Sequence, residues 1–158
     1  AWGTATRLGK IYADADALPN AVKDILYRAA ERTHVHLSLV ANTALRVPRS
    51  EFISTQLVCA GPDEAAKRIA AQVLPGDLVI TADLPLAARV VEKGGTGLDP
   101  RGQLYTENNI RSRMATRDLL MDLREGGMAI GGPAVYKAKD RQAFANRLEE
   151  YLASHALR

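Results

Sequence analysis

The sequence has 158 residues, of which 47% are hydrophobic and 25% are charged, a length and composition that suit one globular domain. Cys59 is the only cysteine, which excludes an intrachain disulfide, and an aromatic content of 5% argues against a platform that stacks nucleic-acid bases. No run of residues is long and apolar enough for a membrane span, and the first nine residues lack the apolar core of a signal peptide. We therefore expect a soluble cytoplasmic protein with one domain, 1–158, in which residues 1–7 form a loose arm.

The net charge of +3 comes from 21 basic and 18 acidic residues, and it is unevenly distributed. Residues 101–147 hold nine Lys or Arg against five Asp or Glu, so the rest of the chain is slightly acidic. A basic region beside an acidic cluster is expected of an enzyme that attracts polyanions. Helices with solvated basic faces would give the same excess.

The first 60 residues predict a strand, a helix and two further strands. The strand at 8–13 is mostly apolar, as a central strand would be. Pro19 lies near the first turn of a helix that runs to about residue 33, where its absent N–H costs nothing. Strands at 36–41 and 52–59 follow, and Cys59 at the end of the second is interpreted as a small core residue.

Helices dominate from residue 61 onward. Asp63 and Thr106 are predicted N-caps, Gly94 and Gly126 are predicted to end helices, and Asp77 in a Pro-Gly turn is interpreted as structural. The predicted elements are a helix at 64–73, a strand at 78–82, a helix at 84–93, a short strand at 96–98, a helix at 107–124 and a helix at 140–155. The apolar stripe expected to bury the helix at 107–124 is Ile110, Met114, Leu119, Leu120 and Leu123. This order predicts a three-layer α-β-α domain of the α/β class, with a mainly parallel sheet of about four to five strands and a helical C-terminal part.

Acidic residues follow two of the predicted strands at the points where those strands end. Asp14 and Asp16 come after the first strand, and Asp83 follows the strand at 78–82. If these strands are parallel neighbours, the three carboxylates converge at the carboxyl edge of the sheet, where open α/β sheets bind ligands. A hard divalent cation with oxygen ligands, Mg²⁺ or Mn²⁺, would relieve their mutual repulsion. A metal site for phosphate chemistry is therefore the leading hypothesis.

Each acidic residue also has a structural interpretation. Asp16 and Asp83 precede helices and could be N-caps, while Asp14 could be a turn residue, although a carboxylate buried among apolar neighbours needs a partner. Thr81, on the same strand as Asp83, could orient a carboxylate or contact a phosphate. Asp63 is a weaker fourth candidate for a metal ligand.

Three arginines on the helix at 107–124 are candidate phosphate ligands. Arg113 and Arg117 are four residues apart and share a helix face, and Arg111 precedes them. A solvated basic face is the alternative interpretation.

Several segments of the sequence are informative in combination, namely Asp14-Ala-Asp-Ala-Leu-Pro19 and residues 39–42, 45–48, 76–87, 99–102, 110–111, 117–118, 131–133 and 140–144. Together they resemble the YaiI/YqxD family of uncharacterised bacterial proteins, and the resemblance runs from about Lys10 to Leu152. That family is in turn similar to PIN-type nucleases, which hold metal ions with carboxylates at strand ends and cleave RNA or DNA. The resemblance implies a PIN-like fold, with Asp14 in the place of the first PIN carboxylate and Asp83 in that of a later one. Asp16 is an addition of the family itself.

Two positions depart from the pattern of the family. Leu18 stands where a cysteine is usual, so any role of that thiol is absent. Ala66, followed by Lys67 and Arg68, stands where an aspartate is usual, and the loss of this carboxylate would weaken a second metal position.

The primary hypothesis is a PIN-like nuclease that depends on Mg²⁺ or Mn²⁺ and acts on RNA or DNA, with RNA as the favoured partner. Asp14, Asp16 and Asp83 would be the catalytic carboxylates. The substrate-binding candidates are Asn42, Arg46, Thr81, Arg111, Arg113 and Arg117. The alternatives are a non-catalytic module that binds a nucleotide, RNA or protein, and a phosphatase with an aspartate nucleophile, which would use the Asp14-x-Asp16 spacing and for which no convincing lysine is found.

Overall fold

Residues 9–61, 63–128 and 135–155 are described by the structure, a computed structural model of the chain. The predicted N-terminal arm, the start of the first predicted strand at Leu8 and the Gly131-Gly-Pro133 segment lie outside these residues. Within them, none of the helices is both long enough and apolar enough to cross a membrane.

Six strands of the described residues form one sheet in the order β3-β2-β1-β4-β5-β6. The strands are β1 (Ile11–Asp14), β2 (Leu37–Ala41), β3 (Ile53–Leu57), β4 (Leu78–Ile80), β5 (Thr96–Leu98) and β6 (Leu104–Tyr105). The first five are parallel, and β6 pairs antiparallel with β5. The sequence did not predict β6, because two residues are too few to show the alternation that indicates a strand.

Helices cover both faces of the sheet, which confirms the predicted three-layer α/β architecture with a mainly parallel sheet. They are α1 (Asn20–Thr33), α2 (Glu64–Gln72), α3 (Leu84–Glu92), α4 (Glu107–Glu125) and α5 (Ala138–His155). One hydrophobic core joins α1 and α5 to one face of the sheet, and a second joins α2 and α3 to the other. The strands between them are apolar on both faces, as parallel strands buried by helices are.

The helix ends were predicted with mixed success. Thr106 begins α4 with a capping box, in which its hydroxyl accepts from the backbone N–H of Asn109 at 3.1 Å and the Asn109 side chain accepts from the backbone N–H of Thr106 at 2.9 Å. Asp63 does occupy the N-cap position of α2, but its side chain makes no capping hydrogen bond. The predicted cap is therefore wrong at Asp63, because the residue occupies the N-cap position but its carboxylate accepts no hydrogen bond from the backbone N–H groups of the helix.

Asp77 connects the beginnings of the two central strands. Its carboxylate accepts hydrogen bonds from the backbone N–H groups of Lys10 and Leu74, both at 2.8 Å, and the residue is 4% exposed. Lys10 immediately precedes β1, and Leu74 begins the turn that leads to β4. These contacts agree with the structural role inferred from the turn sequence.

The predicted burial of α4 and of Cys59 is wrong. No residue of α4, all of which lies in the described part of the chain, is buried, and the side chain of Leu119 is 58% exposed. The helical period of its apolar residues was real, but α4 packs mainly on α3. Cys59 is exposed because β3 ends at Leu57, two residues earlier than the cysteine.

Candidate functional site

A cleft lies at the carboxyl ends of the neighbouring strands β1 and β4, where the order of the strands in the sheet reverses direction. From β1 the chain proceeds to β2 on one side, and it later returns to β4 on the other side. Such a topological switch point is where open α/β sheets bind ligands. The cleft has a volume of about 640 Å³, and it is lined in part by Asp14, Asp16, Asn42, Asp83, Arg117 and Arg124.

Asp14 lies at the centre of this edge, as the last residue of β1. Its Oδ2 accepts a hydrogen bond from the hydroxyl of Thr81 at 3.0 Å. Burial raises the pKa of the Asp14 carboxyl above its ordinary value, the Thr81 hydrogen bond opposes this rise, and the negative charges of Asp83 and Asp16 add to it. A half-buried carboxylate with a raised pKa beside two others is typical of a functional site.

Thr81 links the ends of the two strands. Its side chain is fully buried at 0% exposure, its hydroxyl donates to Asp14, and its Oγ1 accepts from the backbone N–H of Asp83 at 2.9 Å. One hydroxyl therefore fixes the rotamer of Asp14 and the backbone that carries Asp83. Of the two roles predicted for Thr81, orienting a carboxylate or contacting a phosphate, its burial favours the first.

Asp83 caps α3 and also faces the cleft. Its Oδ1 accepts from the backbone N–H of Leu86 at 3.1 Å, the N-cap contact expected of an aspartate before a helix. Asp83 also lines the cleft beside Asp14. The structural and functional interpretations of this residue therefore coexist.

Asp16 connects β1 to β2 and does not cap α1. It lies in a short 3-10 turn, where its Oδ2 accepts from the backbone N–H of Asn42 at 2.8 Å and its Oδ1 is 3.4 Å from the hydroxyl of Thr43. The N-cap of α1 is Pro19, without a side-chain cap. Asn42 directly follows β2, so the contact holds Asp16 at the carboxyl edge of the sheet.

The three carboxylates surround one cleft without forming a closed ligand cluster. Among residues 9–61, 63–128 and 135–155, no group of three or more His, Cys, Asp or Glu side chains is arranged to hold a metal ion. The donor chemistry nevertheless fits a hard cation, because the donors are carboxylate oxygens and because the charges of Asp83 and Asp16 raise the pKa of Asp14. Mg²⁺ commonly binds through one or two carboxylates and completes its shell with water.

Arg113 contacts the scaffold through part of its guanidinium, while its buried Nη1 has no hydrogen-bond partner among the described residues. Its Nη2 contacts Oδ2 of the nearly buried Asp99 at 3.1 Å, and its guanidinium lies over the ring of Tyr105 at 4.5 Å from the centroid. The Tyr105 hydroxyl in turn donates to the carbonyl of Thr81 at 3.0 Å. Burial, reinforced by the charge of Asp99, raises the pKa of Tyr105 to about 12, so this phenol remains a donor at neutral pH.

The other candidate arginines differ in where they lie. Arg117 lines the cleft, and its Nη1 contacts the exposed Asp118 at 3.0 Å. Arg111 and Arg46 are exposed and are not among the described residues that line the cleft. Sequence reasoning missed Arg124, which lines the cleft with Arg117. The seven-residue spacing of these two arginines, two helical turns, was the available signal.

Asp63 lies outside the cleft, in an adjoining pocket that Asp83 and Arg117 also line. Asn42 lines the cleft itself. Together with Asp14, Asp16, Asp83 and Arg117, Asn42 completes the set of predicted site residues that the fold brings to one place.

Comparison with known proteins identifies close relatives. A family model described as the uncharacterised YaiI/YqxD family matches residues 12–154. The UPF0178 protein of Syntrophotalea carbinolica is 53% identical over 146 residues, which cover 92% of this chain and 99% of the relative. A UPF0178 protein of Shewanella sp. strain ANA-3 is 54% identical over 143 residues, and one of Pectobacterium atrosepticum is 50% identical over 143 residues; each alignment covers 90% of this chain and 95% of the relative.

No solved structure matches the chain. The family match covers most of the sequence and includes residues 12–14 of β1, all of β4 and the cleft between their ends. The chain belongs to the YaiI/YqxD family, as its sequence motifs indicated.

Proposed function

We propose that this protein is a nuclease that depends on a divalent cation, Mg²⁺ or Mn²⁺, and hydrolyses phosphodiester bonds of RNA or DNA. The observation that carries the proposal is the meeting of Asp14, Asp16 and Asp83 at one cleft, where Arg117 and Arg124 also lie. Carboxylates suit a cation and arginines suit phosphate oxygens. The resemblance to PIN-type nucleases supports the same chemistry.

Each residue has a distinct role in the proposal. Asp14 is the central ligand, supported by Asp83 and Asp16, and a bound cation would polarise the phosphoryl oxygens and make water a better nucleophile. Thr81 holds Asp14 in place through its hydroxyl. Arg117 positions the scissile phosphate.

The remaining candidates act at a greater distance. Arg46 and Arg111 are exposed and would contact the nucleic acid away from the reacting group. Arg113 positions α4 through its pair with Asp99. Asp63, in the adjoining pocket, is a candidate for a second cation only.

The proposal is tested by metal binding and cleavage in matched variants. Mn²⁺ that binds only the folded protein raises its stability, by about 2.7 kcal/mol at a concentration 100 times the dissociation constant. We expect the wild type to show this stabilisation, measured by thermal unfolding. We also expect the wild type to cleave labelled single-stranded RNA or DNA. Asp14→Asn should lose both, while Asp24→Asn, at an exposed position of α1, should lose neither. Cleavage that persists in Asp14→Asn would refute the assignment.

A non-catalytic binding module is the second candidate, and two observations favour it. Asp16 and Asp83 each already accept a backbone N–H, and the described carboxylates form no closed metal cluster. This candidate predicts saturable binding of an oligonucleotide without any stabilisation by millimolar Mn²⁺. The phosphatase alternative is less well supported, because the described lining of the cleft contains arginine but no lysine.

A further inference from the structure

A second pocket adjoins the carboxylate cleft, at the junction of α2, α3 and α4. Its volume is about 240 Å³, and it shares Asp83, Pro85 and Arg117 with the cleft. This is below the range of about 300–1,000 Å³ that is usual for pockets of drug-sized ligands. The pocket therefore suits a small group such as a phosphate better than a whole nucleoside.

Three cationic side chains from three helices converge on this pocket. Lys67 comes from α2, Arg89 from α3 and Arg117 from α4. The lining also contains two carboxylates, those of Asp63 and Asp83, so its formal charge is positive by one. A divalent cation bound at Asp83 in the neighbouring cleft would make the field more positive still.

Two of these cations, Arg89 and Lys67, are available to a ligand. Arg89 is exposed and forms no ion pair with any residue of the described part of the chain. Lys67 contacts Glu64 at 3.7 Å, but pairs so exposed contribute little energy. An arginine can bind two oxygens of one phosphate in a planar fork, and no carboxylate of the described residues occupies the guanidinium of Arg89 in this way.

A shallow groove continues from this pocket between α2 and α3. Lys67 and Arg89 line both, and the groove, of about 500 Å³, extends to Glu92 and Lys93. The carboxylate cleft, the pocket and the groove are thus consecutive. No Phe, Tyr or Trp lines any of the three in the described residues, so this path offers charge to a backbone and no aromatic face to a base.

We propose that the pocket is a phosphate subsite, in which Lys67 and Arg89 bind the phosphodiester next to the one that the carboxylates and Arg117 position. The nucleic-acid backbone then leaves the cleft along the groove between α2 and α3. This inference rests on the proposed nuclease function and adds the course of the substrate. It implies recognition of the backbone that is independent of base sequence.

The test measures the binding of fluorescein-labelled oligouridine and oligothymidine, each of about a dozen nucleotides. Binding is measured by fluorescence anisotropy in EDTA, at a series of salt concentrations. For single strands, each cation that contacts a phosphate contributes about 0.7 to the slope of log K against log salt. Lys67→Gln and Arg89→Gln should each weaken binding of both probes and lower this slope by about 0.7. Arg28→Gln, at an exposed position of α1 on the opposite face of the sheet, should change neither.

The outcomes separate this inference from the proposed function. If the wild type binds neither probe, or if Lys67→Gln and Arg89→Gln bind with the wild-type slope, the subsite is refuted. Both variants should retain the stabilisation by Mn²⁺, because neither residue is a cation ligand. The subsite is supported if Lys67→Gln and Arg89→Gln bind the probes with a lower salt slope and are still stabilised by Mn²⁺. A wild type that Mn²⁺ does not stabilise refutes the nuclease proposal instead.

Discussion

Thr81→Val is the substitution that best tests how the candidate site is built. Valine has nearly the same shape as threonine but lacks the hydroxyl, and position 81 is fully buried, so a methyl group simply replaces the oxygen. Two hydrogen bonds are lost, the donation to Asp14 and the acceptance from the Asp83 N–H. An unpaired buried N–H costs about 1–3 kcal/mol, and a hydrogen bond to a charged group contributes about 1.5–3 kcal/mol.

The sum predicts that Thr81→Val lowers the free energy of unfolding by about 2.5–6 kcal/mol at neutral pH. Because the Thr81 hydroxyl opposes the rise in the pKa of Asp14, its removal raises that pKa further. The decrease in the free energy of unfolding that comes from the lost Asp14 hydrogen bond is therefore present at neutral pH. It becomes smaller as the pH falls through the pKa of Asp14, because the carboxyl becomes protonated.

Urea denaturation in EDTA, at neutral and at acid pH, measures both quantities. Thr81→Ser is the matched control, because it keeps the hydroxyl and deletes only a methyl group, at a cost of about 1 kcal/mol that should not depend on pH. A Thr81→Val loss below about 1 kcal/mol, or one that is equal at the two pH values, would show that the hydroxyl does not support Asp14 as argued.

Three further predictions concern the carboxylates and one close contact in the sheet. Asp14→Asn should stabilise the metal-free protein at neutral pH and not at acid pH. Burial raises the pKa of Asp14, so ionisation of this carboxyl destabilises the folded state as the pH rises through that pKa. A difference in urea denaturation that does not depend on pH would contradict this. Asp77→Ala should cost about 2–4 kcal/mol in the same assay, since two backbone N–H groups lose their acceptor, and Asp77→Asn should cost less. Gly97→Ala places a Cβ 2.7 Å from the ring of Tyr105 and should cost about 1–3 kcal/mol, whereas Gly126→Ala, with neighbours no closer than 3.5 Å, should be nearly neutral in thermal unfolding.

The centre of the site could be predicted from the sequence because its signals are local. An apolar run that ends in Asp14 and another that ends in Thr81 and Asp83 indicate two buried strands, and parallel pairing brings their carboxyl ends to the same edge. The register sets Ala13 beside Ile80, so the next residue on each strand, Asp14 and Thr81, is adjacent as well.

The surroundings of the site could not be predicted, because they depend on how helices pack. Lys67 and Arg89 are 22 positions apart in the sequence, and nothing in the pattern of either helix shows that both line one pocket. The apolar period of α4 indicated a buried face, but whether such a face finds a partner is decided by tertiary structure. The pairing of Arg113 with Asp99 could not be predicted either, because the two residues are 14 positions apart and lie in different elements.

The attachment of α4 has a consequence for motion within the molecule. α4 is held by its packing on α3 and by the contacts of Arg113 with Asp99 and Tyr105, and it contributes no fully buried side chain, whereas β1 and β4 lie in the middle of the sheet. Amide hydrogens of α4 should therefore exchange with solvent through a low-energy local opening, while those of β1 and β4 should exchange only on global unfolding. We therefore expect the two halves of the cleft to belong to separate cooperative units, so that the helix that carries Arg117 opens while the carboxylates stay fixed.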